Sequence, residues 1–244
     1  MLAFLPIHAA GVYDTQETGE KISDFVVSSY APTLNSILEL SEAVVREDLQ
    51  VLTVAQASAP GAPRISKTEA EVEIVQKLTT GARSLNLVRG DATVQRVREG
   101  MMESDWIHLA CHGQQNPDDP MSSGFLLHDH KPKLSEIARM SLPKADFAFL
   151  SACQTAMGDE NIAEESVHLA AGMLFCGCRG VIATTWSIRD DDAPQIAQEV
   201  YSRMFKDGKP NRKEAAHALH EAVKLLRESG AECVSWVPFV HIGR

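Results

Sequence analysis

The chain has 244 residues and a mass of 26.6 kDa, with 44% hydrophobic and 23% charged side chains. These proportions exclude disordered and collagen-like chains and predict one compact domain with a sizeable core. Acidic residues outnumber basic ones by 33 to 23, and the net charge of −10 has the wrong sign for binding nucleic acid or an anionic membrane. The five cysteines are too sparse for a disulfide framework, which indicates a reducing, cytoplasmic setting.

Short apolar runs alternate along the chain with longer segments of helical periodicity. Apolar runs of this length predict buried strands, and they are Leu2 to Ile7, Asp24 to Ser28, Leu49 to Ala55, Leu85 to Val88, Trp106 to Cys111, Asp146 to Ser151 and Gly180 to Thr185. The segments of helical periodicity predict crossover helices, and they are Thr33 to Val45, Lys67 to Thr79, Ala92 to Met102, Leu134 to Met140, Glu164 to Cys178 and Ala193 to Phe205. The alternation predicts an α/β fold with a mostly parallel sheet and helices on both faces.

Two of the predicted strands end in residues that can carry chemistry. The run from Trp106 ends at His112 and Gly113, and the run from Phe147 ends at Cys153. One short crossover joins these runs, so we expect neighbouring strands whose carboxyl ends bring the two side chains together. An imidazole beside a thiol assists its deprotonation, and we expect the sulfur and a ring nitrogen to lie within roughly 3 to 7 Å.

Other residues fit supporting roles or structural ones. The backbone N–H of Gly113, which has no Cβ to block approach, is predicted to form an oxyanion hole with the N–H of Cys153. A buried cysteine and a lone histidine are more often structural, so the residue pattern alone leaves both interpretations open. His108 shares the strand face of His112 but lies deeper, which favours a core histidine. His128 and His130 lack a third ligand nearby, and we predict neither a metal nor a cofactor.

Four short segments follow one another along the chain: His-Leu-Ala-Cys-His-Gly, Leu-Ser-Ala-Cys-Gln-Thr-Ala, Glu-Glu-Ser-Val-His-Leu-Ala-Ala-Gly-Met-Leu and Gly-Val-Ile-Ala-Thr-Thr-Trp-Ser-Ile. Together and in this order they resemble the CHAT domain, a family of caspase-like cysteine peptidases. The opening Leu-Pro-Ile-His-Ala-Ala-Gly and the closing Trp-Val-Pro-Phe-Val-His-Ile-Gly are similar to family segments as well. The resemblance implies a three-layer caspase-like fold, with the dyad histidine at His112 and the nucleophile at Cys153.

The beginning of the chain departs from the family pattern. Family domains usually have a strand and a helix before the opening segment, whereas this sequence starts almost inside it. We therefore expect a single CHAT domain over residues 1–244 that lacks its first element or is part of a larger protein. The family pattern favours the second interpretation, with an upstream repeat or nucleotide-binding module as a regulatory partner.

The loops near the predicted dyad are acidic. Candidate substrate-binding residues are Asp118, Asp159, Glu160 and Asp190, although helix capping also explains Asp190. The loops after the two strands contain no Arg that would pair with an acidic P1 residue, which argues mildly against cleavage after Asp. Basic and apolar P1 residues remain open.

These observations predict a cysteine endopeptidase that cleaves protein or peptide substrates as a regulated effector or signalling protease. The alternative is a catalytically silent interaction or effector module, because a fold alone does not guarantee activity. A small-molecule hydrolase or acyltransferase that uses the same dyad also remains open. Neither nucleic acid nor a membrane is expected as a partner.

Overall fold

A seven-stranded sheet forms the centre of the computed structural model. The structure describes residues 6–15, 17–33, 48–59, 62–114, 116, 118–154 and 163–243, apart from the side chains of residues 120, 152–154 and 163–168. The strands are β1 (Gln50–Ala55), β2 (Arg83–Val88), β3 (Trp106–Gln114), β4 (Gly124–Leu126), β5 (Phe147–Gln154), β6 (Gly180–Thr184) and β7 (Phe239–Gly243). Their order is β2-β1-β3-β5-β6-β7, and β4 pairs with β3 outside this path. The strands β2, β1, β3, β5 and β6 are parallel to one another, whereas β4 is antiparallel to β3 and β7 is antiparallel to β6.

Helices cover both faces of this sheet and make a structure of three layers. They are α1 (Thr68–Leu78), α2 (Val94–Glu103), α3 (Leu134–Ile137), α4 (Ala163–Cys176), α5 (Asp192–Met204), α6 (Ala215–Glu228) and α7 (Cys233–Trp236). Met101 of α2 and Met173 of α4 lie in the apolar core of one face. Ile196 of α5 and Leu219 of α6 lie in the core of the other. The predicted α/β architecture with a mostly parallel sheet is confirmed.

Side chains along β3 alternate between the two cores, as the pleat of a strand requires. Ile107 and Leu109 belong to the core that contains α2, α3 and α4. Trp106 belongs to the opposite core, which contains α5 and α6. The two-residue period therefore assigns His108 and His112 to the same face as Trp106.

The three elements predicted before residue 48 are not confirmed by the structure. The predicted helix Thr33 to Val45 lies outside the described residues apart from Thr33. The predicted strand Leu2 to Ile7 lies outside them apart from its last two residues, and Ile7 begins a 3₁₀ helix (Ile7–Ala9). The prediction of a strand over Asp24 to Ser28 is wrong. The Asp24 carboxylate accepts hydrogen bonds from the backbone N–H groups of Gly19 (2.8 Å) and Lys21 (3.3 Å), and such bonds stabilise a turn instead of a ladder.

Burial of a histidine on β7 makes the stability of the protein depend on pH. His241 is 3% exposed, and its Nδ1 lies 2.7 Å from Ser29 Oγ. Burial, with a smaller effect of the Arg212 charge, lowers the pKa of His241 from 6.5 to about 4. Between these values the unfolded chain binds a proton at this position that the folded protein does not bind. Unfolding therefore becomes easier as the pH falls from 6.5 toward 4.

We predict that the free energy of unfolding falls between pH 7 and pH 5 by on the order of 2 kcal/mol more in the wild-type protein than in His241→Gln. The substituted amide does not titrate in this range, so it removes this one contribution. Urea denaturation at the two pH values measures the difference. An identical pH dependence in both proteins would show that His241 does not have the lowered pKa.

Candidate active site

The two predicted site residues lie at the carboxyl ends of neighbouring parallel strands. β3 and β5 pair in register from Trp106 opposite Phe147 onward, and this register places His112 opposite Cys153. The adjacency predicted from the sequence is therefore present in the backbone. The side chain of Cys153 lies outside the described residues, so the distance between its sulfur and the imidazole stays a prediction.

The ring of His112 is held by a backbone carbonyl. Its Nε2 lies 2.5 Å from the carbonyl oxygen of Pro63, in the loop that follows β1. Because a carbonyl oxygen only accepts hydrogen bonds, Nε2 carries the proton of the neutral ring and Nδ1 carries the lone pair. Nδ1 is buried and has no hydrogen-bond partner among the described groups. His112 therefore presents a basic nitrogen with no competing donor in the described part of the chain.

Backbone hydrogen bonds attach the loop of Pro63 to β3 and to itself. The N–H of Gln56 donates to the carbonyl of Ala110, on the same strand as His112, at 2.9 Å. Farther along, the N–H of Ile65 donates to the carbonyl of Ala57, also at 2.9 Å. This loop is the part of the site that the sequence did not predict, because a backbone carbonyl leaves no side-chain signal.

Gly113 is buried within the sheet beside the two strand ends. It lies opposite Gln154 of β5 and opposite Phe125 of β4 in the pairing register. β3 extends past the end of β1, and β4 pairs with this extension. The oxyanion role of the Gly113 and Cys153 N–H groups stays a prediction.

Hydrogen bonds give an internal scaffold to the loop between β3 and β4. The Oδ1 of Asn116 accepts from the N–H groups of Asp118 and Asp119, both at 3.1 Å. Its own N–H donates to Ser123 Oγ at 3.0 Å, and its Nδ2 donates to Ser122 Oγ at 2.8 Å. This scaffold places Asp118 at an exposed position. Asn116 thus organises the part of the loop that the structure describes.

Asp190 makes a contact that the sequence did not predict. The N-cap position of α5 belongs to Asp191, so the capping interpretation of Asp190 is wrong. Its Oδ2 instead accepts hydrogen bonds from the N–H of Ser66 (2.8 Å) and from Ser66 Oγ (3.1 Å). Beside it, Lys67 Nζ lies 3.4 Å from Asp191 Oδ1, an exposed pair of small energetic value. Asp190 therefore connects the loop before α5 to the loop that carries Pro63.

The two remaining acidic candidates, Asp159 and Glu160, lie outside the described residues. Asp129, between the two histidines considered for a metal, accepts a hydrogen bond from the N–H of Val94 at 2.9 Å and so stabilises the start of α2. Within the described ranges no three His, Cys, Asp or Glu residues are grouped to hold a metal ion. No described helix has the length and apolar composition of a membrane span.

A second group of polar side chains lies beneath the strand ends, on the same face. His108 is fully buried between Phe149, whose ring it stacks on at 5.0 Å, and Glu71 of α1. Its Nδ1 lies 3.2 Å from the hydroxyl of Tyr201. The prediction of a core histidine agrees with this environment. Glu71 gave no signal in the sequence, because an acidic residue in the first turn of a helix usually faces solvent.

Comparison with known proteins identifies the family and the fold. The sequence model of the CHAT domain matches residues 1–244. The Saccharomyces cerevisiae separase–securin complex is similar with a TM-score of 0.55 and 17% identity, over 81% of this chain and 12% of that chain. The Arg-specific cysteine proteinase gingipain R (RgpB) has a TM-score of 0.51 and 12% identity, over 82% and 48% of the two chains.

A third structure, the complex of the Porphyromonas gingivalis RgpB pro- and mature domains, has a TM-score of 0.51 and 10% identity, over 81% and 47% of the two chains. The chain thus spans less than half the length of each of these structures. The search of curated proteins gives no match. At these identities the likeness confirms a caspase-like protease fold and carries nothing about substrates.

We predict that Asp190→Ala increases amide hydrogen exchange in the segment around Ser66, because the substitution removes both hydrogen bonds that the carboxylate accepts. Loss of a charge-assisted bond of this kind costs about 1 to 3 kcal/mol locally, an increase in local opening of roughly five- to a hundredfold. Asp190→Asn retains an acceptor oxygen and serves as the control, with a smaller increase. Unchanged exchange in Asp190→Ala would show that the contact does not hold the loop.

Proposed function

Because this chain belongs to the CHAT domain family, we propose that it is a cysteine endopeptidase in which His112 and Cys153 hydrolyse peptide bonds of protein substrates. The observation that carries the proposal is the pairing of β3 with β5, which places the two residues opposite each other where both strands end. We place this activity in the cytoplasm, as a regulated effector or signalling protease, where thiols remain reduced.

The first step of the proposed reaction is activation of the thiol. Nδ1 of His112 has a lone pair and no other described donor, so it is the atom that takes the proton of Cys153. The Pro63 carbonyl, which accepts from Nε2, stabilises the imidazolium that results because its oxygen carries partial negative charge. The thiolate then attacks the substrate carbonyl carbon, and the carbonyl oxygen becomes an oxyanion that the N–H groups of Gly113 and Cys153 are proposed to bind.

The second half of the reaction returns the proton and releases the products. His112 donates the proton from Nδ1 to the leaving amine, and the C–N bond breaks to leave a thioester on Cys153. A water molecule, deprotonated by the same nitrogen, attacks the thioester and releases the carboxylic acid. The thiol is then regenerated, so no oxidant, reductant or cofactor is consumed.

Charged residues near the proposed dyad in the sequence are the candidates for determining the substrate preference. Asp118 is exposed in the loop that follows His112 and is proposed to contact the substrate, together with Asp159 and Glu160. Asp190 is engaged with Ser66, so a substrate reaches its Oδ2 only by replacing those hydrogen bonds. Arg64, next to Pro63, lies in the loop that holds His112, so the sequence argument against an acidic P1 residue missed one candidate cation. A peptide library that varies P1 separates basic, apolar and acidic preferences.

We predict that Cys153→Ala lowers kcat for a cleaved peptide by on the order of a thousandfold or more, because the substitution removes the nucleophile. Cys111→Ala is the matched control, since Cys111 is buried in the apolar core on the opposite face of β3. Trimming that side chain costs stability of about 1 to 3 kcal/mol and leaves the chemistry intact. Turnover is measured for both variants at equal folded fraction.

Two results would count against the peptidase. Equal loss of activity in Cys153→Ala and Cys111→Ala would show that the nucleophile is wrongly chosen. A wild-type protein that cleaves no member of the library, with Cys153 no more reactive toward an alkylating reagent than the exposed Cys233, would favour the catalytically silent interaction module.

A further inference from the structure

A carboxylate is buried beneath the strand ends that carry the proposed dyad. Glu71, in the first turn of α1, is 2% exposed. Burying an ionised carboxylate is costly unless hydrogen bonds and neighbouring charges compensate. Its position near the amino terminus of the helix supplies part of that compensation, because the helix dipole is positive there. The rest comes from the side chains that surround it.

Those side chains belong to the two strands of the site. Ser151 Oγ of β5 donates to Oε2 of Glu71 at 3.1 Å. Oε1 lies 3.1 Å from His108 Nε2 of β3, although this contact is not aligned as a hydrogen bond. On the far side of the ring, His108 Nδ1 lies 3.2 Å from the hydroxyl of Tyr201 on α5. One carboxylate therefore contacts both β3 and β5, and the chain of contacts extends to α5.

The proton arrangement of this chain follows from the acceptor at its centre. A carboxylate only accepts, so Nε2 is the nitrogen of His108 that carries a proton toward Glu71, and Nδ1 is the one that the Tyr201 hydroxyl contacts. Burial, with the charge of Glu71 adding to it, raises the pKa of Tyr201, which keeps the phenol protonated as the donor. The network thus has hydrogen bonds at Glu71 Oε2 and at His108 Nδ1, and the close contact between Glu71 Oε1 and His108 Nε2 joins them.

The register places this network directly below the dyad. Ser151 precedes Cys153 by two residues and His108 precedes His112 by four, so the period of a strand gives all four positions to one face. A buried ionic network of this kind is weak evidence for stability, because apolar residues of similar volume often stabilise a core equally well. The hydrogen bonds of this network, from Ser151 to Glu71 and between His108 and Tyr201, do, however, restrict the core to one arrangement.

We propose that Glu71 is a positioning residue of the active site, which fixes the relative placement of the β3 and β5 ends through His108 and Ser151. The inference rests on the proposed peptidase activity of His112 and Cys153. It assigns Glu71 no contact with substrate. A displacement of about 1 Å between a nucleophile and its base is enough to lower a rate by up to a hundredfold, so fixing two strand ends is a sufficient role.

The test compares substitutions at Glu71 and Ser151 with a control on the same helix. Glu71→Leu keeps the volume and removes the contacts, and we expect kcat to fall about ten- to a hundredfold while KM for the same peptide changes less than about threefold. Glu71→Gln keeps the shape and an acceptor for Ser151, so we expect it to retain kcat within about threefold of wild type. Ser151→Ala should reduce kcat in the same direction as Glu71→Leu, by a smaller factor. Glu73→Leu, on the exposed side of α1, should leave kcat unchanged.

All rates are measured at equal folded fraction, and alkylation of Cys153, followed by mass spectrometry, gives a second reading that does not need turnover. A kcat and a Cys153 alkylation rate that are unchanged in both Glu71→Leu and Ser151→Ala would overturn the positioning role even if the wild-type protein is a peptidase. Equal losses in Glu71→Gln and Glu71→Leu would overturn it as well, because charge and not hydrogen-bonded placement would then be responsible. If the wild-type protein has no turnover, the proposed function fails, and the alkylation rates alone decide whether Glu71 affects Cys153.

Discussion

The parallel pairing of β3 with β5 is the constraint on which the candidate site depends. The two strands stay in register from Trp106 opposite Phe147 to Gly113 opposite Gln154. Because parallel strands end at the same edge of a sheet, this register leaves little freedom in where His112 lies relative to Cys153. Apolar side chains from both strands enter the cores on either side, and a shift of one residue would exchange the two faces. The packing of the whole domain therefore fixes which residues of the two strands lie opposite each other.

The two faces of β3 differ in the side chains that they carry. Toward α2, α3 and α4 the strand presents Ile107, Leu109 and Cys111, which lie in a continuous apolar core. Toward α1 and α5 it presents His108 and His112, and polar groups of other elements meet them there. The Pro63 carbonyl holds His112 at the end of the strand, and Glu71 contacts His108, which lies deeper. A single face of one strand thus carries both the proposed base and the network beneath it.

Much of the sheet could be predicted because its central strands are buried on both faces. β1, β3, β5 and β6 are nearly continuous apolar runs of strand length, and their order of appearance with intervening helices indicated parallel pairing. The strand ends then selected His112 and Cys153 without any knowledge of the loops. That part of the site is visible in sequence because strand ends are defined by where an apolar run stops.

The predicted elements omit α6, although Ala218, Ala222 and Leu226 of its buried face recur at helical spacing and would have indicated it. The other parts of the structure that were not predicted have physical reasons of their own. β4 has only three residues and forms because the end of β3 extends past β1. Pro63 acts through its backbone, whose chemistry is the same for every residue. These contacts depend on tertiary structure, which local patterns do not encode.

A crystal structure of the protein, in which the distance between Cys153 Sγ and His112 Nδ1 is measured, tests the proposed dyad most directly. We expect the two atoms to lie within roughly 3 to 7 Å, with Nε2 hydrogen-bonded to the Pro63 carbonyl. A sulfur outside that range, or a Nδ1 that is occupied by another donor, would contradict the assignment of these residues as nucleophile and base.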